Sequence, residues 1–252
     1  MSKKIWSYWD GEYPEIVLKS IESWKKYLPD WEINILDNIS IQQYYIEKPK
    51  SYELLTSTTK SDVIRLSLLY THGGVWMDAS IILLDNLNWL DQYINYPYYG
   101  FIFNDEVKYV ESWFLYVPRK KGPLIRLWLT TLNEILDTPS YEDHIAYRSP
   151  CTTNSSYFMI YQSFCYLVES NGTFANAFYN IPFKKAGNYF YNPLFPMSSH
   201  DHMVKFTKNQ REYFKYIPFP TVYILLLVLI ILIAFCFVFS TKKVDNLNTA
   251  NL

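Results

Sequence analysis

Residues 60–65 and 73–80 hold the side chains whose types and spacing could do chemistry. In Lys60-Ser61-Asp62-Val63-Ile64-Arg65, Asp62 and Arg65 stand three apart, which on a helix places them on one face. Leu66 and Leu69 continue that stripe, so the charged pair ends a core-facing row. A charge so near the interior needs a partner or a function. The plainer reading is an i,i+3 ion pair worth roughly 0.2–0.5 kcal/mol to the helix. In Gly73-Gly74-Val75-Trp76-Met77-Asp78-Ala79-Ser80, two glycines turn the chain and three apolar residues enter a sheet. Asp78 then emerges at the strand's carboxyl end, where open α/β sheets bind ligands. A carboxylate there can hold Mn2+ or Mg2+, with water and phosphate oxygens completing the shell. Ser80, two residues on in an extended chain, points the same way and can bind the metal, its water or a sugar. Here the plainer reading is a strand-end turn with local hydrogen bonds. In Ile5-Trp6-Ser7-Tyr8-Trp9-Asp10-Gly11, aromatic residues leaving a strand could stack a nucleobase or simply fill the core. Alternation sets Ile5, Ser7 and Trp9 on one face and Trp6 and Tyr8 on the other.

The elements that must position these groups follow from periodicity. Lys4–Trp9 reads as a strand, 14–27 as a helix and Glu32–Leu36 as a second strand, a βαβ spacing that implies a parallel sheet. A helix from about Ser61, with Ser61 as its cap, runs to His72. Further strands are expected at 75–77, 81–84, 98–103 and 113–117, and further helices at 122–136 and 156–168. The stretch 171–215 is aromatic, irregular and left unassigned. The expected class is α/β, with a mixed, mainly parallel sheet.

Half of the 252 residues are hydrophobic, with 24 Tyr, 16 Phe and 8 Trp, which argues for one well-packed domain and against disorder. A net charge of −1 gives no basis for nucleic-acid binding. Among Cys151, Cys165 and Cys236 no spacing suggests zinc; at most one disulfide could form outside the apolar C-terminal run, and free buried thiols are the expected state. Residues 216–241 carry no charge and are rich in aliphatic side chains, long enough to cross a bilayer as a helix of about 20 residues. The expected organisation is a catalytic domain at 1–215, one transmembrane helix at 216–241 and a polar tail at 242–252. Lys205, Lys208, Arg211 and Lys215 precede the span, and Lys242 and Lys243 follow it. That basic excess, with a Met-Ser-Lys-Lys start that does not read as a signal peptide, favours a cytosolic catalytic domain on a single-pass C-terminal membrane anchor. Sequons at Asn38, Asn154 and Asn171 are weak signals by themselves.

Together, the segment Lys3–Gly11, the helix at 14–27 with Leu28-Pro29-Asp30-Trp31-Glu32-Ile33, and Ser61-Asp62-x-x-Arg65 leading to Gly73-Gly74-Val75-Trp76-Met77-Asp78-Ala79-Ser80 resemble glycosyltransferase family 32. The resemblance is to its capsular polysaccharide synthesis proteins and related DXD-type sugar transferases, and covers about residues 3–170. Glu111-Ser112-Trp113-Phe114 adds to it. It implies a GT-A-like fold, a nucleotide-sugar donor, a glycan or lipid-linked acceptor, a divalent cation (Mn2+ or Mg2+) and retained anomeric configuration. It also implies site roles. Trp9 would stack on the base, with Tyr8 and Lys60 also donor-binding. Asp62 and Arg65 would hold the donor's sugar and phosphate side, and Asp78 would contact metal, ribose or sugar. The chain departs from the motif at Ser80, which stands where a second acid is usual and weakens a metal site built on Asp78 and Ser80. Asp85 could help, and His200 or His202 is a candidate further ligand. The alternatives are a nucleotide-sugar-binding protein with impaired catalysis and a tail-anchored interaction module.

Overall fold

The computed structural model describes residues 2–138, 158–192 and 201–213. The chain divides into two units, Met1–Thr207 and Lys208–Leu252. Of the second, the helix α6, Lys208–Tyr213, falls among the described residues. The remaining strands and helices below all belong to the first unit.

The βαβ start forms as its periodicity predicts. Strand β1 (Lys4–Tyr8) and strand β2 (Glu32–Leu36) lie parallel, with Lys4 opposite Glu32 and Tyr8 opposite Leu36. Between them helix α1 (Glu15–Tyr27) buries Ile16, Val17 and Trp24. The Trp24 indole N–H donates to Ile81 O at 2.7 Å, so this large apolar side chain also satisfies its polar atom.

Helix α2 spans Ser57–His72 and starts before the expected Ser61. Thr56 takes the cap instead: it is extended, and its Oγ1 accepts from the Thr59 N–H at 3.3 Å. The Ser61 hydroxyl is already used inside the helix, donating to Thr58 O. Residues 62–69 are buried on every side, so α2 is an interior helix rather than an amphipathic one.

Two glycines then make the turn that delivers Asp78. Gly73 ends α2 at φ 68°, its N–H bonded to Leu69 O, and Gly74 follows at φ 99°. A Cβ on Gly74 would stand 2.6 Å from Lys4 O, so its bare backbone lets β3 (Gly74–Met77) lie tight against β1. Strand β3 is parallel to β1 and antiparallel to β6 (Phe114–Val117), giving the sheet order β2-β1-β3-β6. Two of its three pairings are parallel, the mixed and mainly parallel sheet that was expected. Helices α3 (Pro123–Asp137) and α4 (Met159–Ser170) pack together, the Trp128 indole donating to Ser163 Oγ at 3.0 Å.

Three differences from the sequence reading have physical causes. The expected strand at 98–103 shrinks to β5 (Phe101–Ile102) plus one bridge from Tyr99 to Tyr116. Aromatic packing holds that segment: Tyr99 stacks on Tyr93 at 3.7 Å, and Phe101 stacks on Trp113 at 5.0 Å. The unassigned stretch contains real elements: α5 (Gly172–Asn180), capped by Asn171, then β7 (Lys184–Lys185) beside β5, and β8 (Met203–Lys205) antiparallel to β4 (Ile81–Leu83). Cys165 is not a free thiol but half of a disulfide. The span at 216–241 and most of its flanks lie outside the described residues, among which no helix is long and apolar enough to cross a membrane.

Gly74→Ala should destabilise the fold by about 2–3 kcal/mol, because it adds left-handed strain to a backbone clash. The check is thermal unfolding: a drop of about 5–10 °C is expected for a unit of this size, and an unchanged midpoint would show that β3 can move away from Lys4.

Candidate active site

Asp78 stands one residue beyond β3, and Tyr8 closes β1. These strands are parallel neighbours in register at Trp6 and Trp76, so Tyr8 and Asp78 leave the same carboxyl edge of the sheet side by side. The Asp78 N–H continues the pairing to Trp113 O at 2.9 Å, which fixes where its carboxylate sits.

Helix α2 aims its charged pair at that carboxylate. Arg65 Nη1 donates to Asp62 Oδ1 at 2.5 Å, and Nη2 reaches Asp78 Oδ1 at 3.3 Å. The guanidinium also lies 4.7 Å from the centre of the Trp76 ring, whose indole N–H donates to the same Asp78 Oδ1 at 3.0 Å. Arg65 thus does more than the i,i+3 ion pair of the plainer reading: its planar fork ties helix to strand tip. Arg65 is 3% exposed and Asp78 30%, so Asp78 is the member of the chain that faces outward.

The strongest partner of Asp78 was not among the residues singled out from sequence. Lys205 Nζ lies 2.6 Å from Asp78 Oδ2 and 3.0 Å from Ser80 Oγ. Pairing of β4 with β8 sets Lys205 opposite Ile81, and the Phe206 N–H bonds to Ser80 O, so backbone geometry holds Lys205 there. Counted by sequence among the basic flanks of a membrane span, Lys205 is instead 7% exposed. Nothing local indicated a partner 127 residues away. Nor is the Asp78–Ser80 segment extended as expected: Ile81 N–H bonds to Asp78 O at 3.1 Å, a turn, and the Ser80 hydroxyl donates to Phe206 O at 3.2 Å.

These contacts set the charges. Burial pushes the Asp62 carboxyl up to about 6 even though Arg65 pulls it down, and the negative charge of Asp78 adds to the rise. Burial acts the same way on Asp78, but Lys205 and Arg65 outweigh it and bring that group down to about 2. Asp78 is therefore a firm anion at neutral pH, while Asp62 is poised.

The same atoms test the expected metal. Mn2+ or Mg2+ would need the Asp78 and Ser80 oxygens that now accept from an ammonium, and two cations cannot share them at these distances. No cluster of three or more His, Cys, Asp or Glu among the described residues could hold a metal. The His202 ring stacks on Trp89 at 5.3 Å, with Nδ1 3.6 Å from Asp85 Oδ2. His200 lies outside the described residues. As these side chains lie, they do not fit a divalent ion.

Tyr8, Trp9 and Lys60 have partners other than the Asp–Arg pair: Tyr8 bonds Asn38, Lys60 lies over Tyr52, and Trp9 bonds Glu12. Tyr8 donates to Asn38 Oδ1 at 2.7 Å, and burial pushes its hydroxyl up to about 12, with smaller contributions from Asp10, Tyr52 and Asp37. Lys60 Nζ sits 5.3 Å over the Tyr52 ring and 3.7 Å from Glu53, not against the Asp–Arg pair. Trp9 is half-buried, with its indole N–H donating to Glu12 O. On the other flank, burial raises the Glu111 carboxyl, which feels both Lys205 and Asp78 and lies 3.4 Å from the Tyr161 hydroxyl. Sequence reading marked Glu111 only as part of a resembling segment.

Comparison with known proteins places the chain in a family. The family model described as capsular polysaccharide synthesis protein matches residues 1–218. O-glycosyltransferase braB of Annulohypoxylon truncatum is 25% identical over 159 residues, 54% of this chain and 38% of its own length. Glycosyltransferase afumC of Aspergillus fumigatus (strain CBS 144.89 / FGSC A1163 / CEA10) is 30% identical over 108 residues, 35% of this chain and 28% of its own. The chain thus spans well under half the length of these curated relatives. Among solved structures, the PaToxG glycosyltransferase shows a loose likeness: TM-score 0.44 and 14% identity, over 69% of this chain and 72% of that one. With a family match that takes in the whole charged chain from Asp62 to Lys205, the protein belongs to the capsular polysaccharide synthesis protein family.

Proposed function

We propose that this protein is a glycosyltransferase that moves a sugar from a nucleotide-sugar donor to a glycan or lipid-linked acceptor, with retained anomeric configuration. One observation carries the reading: the Arg65 fork joins buried Asp62 to outward-facing Asp78 at the carboxyl edge of the sheet, beside Tyr8 and Trp9. A diphosphate needs positive field there, and a sugar needs hydrogen-bond acceptors. Arg65 supplies field from beneath, and the Asp78 carboxylate supplies acceptors for ribose or sugar hydroxyls. Tyr8 is buried, so half-buried Trp9 is the residue that gives the base a flat aromatic face. In the reaction, the bond from anomeric carbon to phosphate oxygen breaks and its electron pair leaves with the diphosphate. An acceptor hydroxyl oxygen forms the new bond, and its proton passes to the departing phosphate. Ionised Asp62 steadies positive charge on the sugar ring as the bond breaks.

The uncharged run at 216–241 supports work at a membrane, where lipid-linked acceptors reside. The disulfide at Cys165 favours an oxidising compartment over the cytosol for the catalytic unit, since such bonds are rare where thiols are kept reduced.

The direct test is a thermal-shift screen of UDP- and GDP-sugars followed by a transfer assay with NMR of the product anomer. A raised midpoint with one donor class is expected; no shift with any nucleotide sugar would remove the reading. Arg65→Lys keeps the charge but loses the fork, so kcat/KM should fall about 100-fold or more with the fold retained. Turnover should also fall as pH drops through about 6, because protonating Asp62 removes its anion, while Asp78 stays charged down to about 2. A flat rate profile from pH 8 to 5 would separate Asp62 from the chemistry.

A further inference from the structure

We infer that Lys205 is the resident cation of this site, and that the protein binds its diphosphate donor without a divalent metal. The inference rests on the glycosyltransferase reading and deepens it. Lys205 Nζ contacts Asp78 Oδ2 and Ser80 Oγ together, the two oxygens a metal at this strand tip would have to use. The placement is built rather than incidental. The Lys205 side chain is 9% exposed, and strand β8 carries it in register with β4, while Ser80 is pinned to Phe206 through both a backbone and a side-chain hydrogen bond.

Charge and chemistry at the second motif position favour the same conclusion. With Ser80 in place of an acid, the strand tip offers one carboxylate, and Lys205 already contacts it and the Ser80 hydroxyl, so a divalent ion would have to displace the ammonium to bind there. Counting the connected side chains, Asp62 and Asp78 carry two negative charges, and Arg65 and Lys205 carry two positive ones. Without Lys205 the cluster would be net negative and would repel a diphosphate. With it, the cluster is neutral, and the phosphates meet two fixed cations that balance the partly buried Asp78 carboxylate. A metal ion must bind from solution each time a donor binds, whereas Lys205 is in place beforehand, so the field is preorganised.

The experiment titrates the full-length protein with UDP and with GDP, following thermal shift and calorimetric Kd, in EDTA and then in Mn2+. The wild type should bind one of them in EDTA, with Mn2+ changing Kd by no more than about threefold. Lys205→Ala frees the Asp78 and Ser80 oxygens and should lose about tenfold or more in EDTA, with Mn2+ restoring part of the loss. Lys205→Arg, which keeps the charge, should remain independent of Mn2+. Wild-type binding that disappears in EDTA and returns with Mn2+ overturns the inference about Lys205 and leaves the transferase reading standing. No binding of either nucleotide under either condition overturns both. If Lys205→Ala does not fold, the wild-type comparison of EDTA with Mn2+ still decides.

Discussion

A single guanidinium holds the functional end of this molecule together. Arg65 bonds Asp62 on its own helix and reaches Asp78 at the tip of the neighbouring strand, so α2 and β3 share one charged hinge point. A cation at 3% exposure is costly to bury unless its partners are fixed. Much of the surrounding structure supplies that fixity. Thr56 sets the start of the helix, Gly73 and Gly74 set the turn, and the Trp76 indole holds Asp78 Oδ1 from the other side. The cost of burial shows in Asp62, which is pushed up to about 6 in spite of its ion pair.

Two carboxylates that differ this much in proton affinity suit different tasks. Asp78, held near 2 by Lys205 and Arg65, is a permanent anion that can accept hydrogen bonds from a ligand. Asp62 is enclosed, and its charge depends on the balance between desolvation and Arg65. The arrangement is a chain of alternating sign, from Asp62 through Arg65 and Asp78 to Lys205. Only its last carboxylate is substantially open among the four groups described.

How much of this was legible in the sequence depends on range. The β1–α1–β2 unit formed where its periodicity put it, because alternation and the helical stripe are local signals. Asp62, Arg65 and Asp78 were legible for the same reason: their helix, their turn and their strand lie within 22 consecutive residues, 57–78. The cap was misplaced because Thr56 and Ser61 are both good capping types, and only the backbone direction at residue 56 separates them. Lys205 was illegible. Its segment is three residues of strand in an aromatic stretch, and its meaning comes from pairing with β4 across the chain. The Asp78–Ser80 turn was missed because an extended continuation and a turn fit the same residues until Phe206 is known to anchor Ser80. The aromatic residues of 89–101 obscured strand ends for a related reason: apart from the Tyr99–Tyr116 bridge and β5, ring contacts organise them.

The central claim is that the Asp62–Arg65–Asp78 linkage forms the floor of a donor site. A crystal structure with a bound nucleoside diphosphate tests it most directly. The account predicts a diphosphate at the strand tip that carries Asp78, within reach of the charge of Arg65 and Lys205, and a base against Trp9. A nucleotide seated elsewhere, with Asp78 facing only solvent, would contradict it.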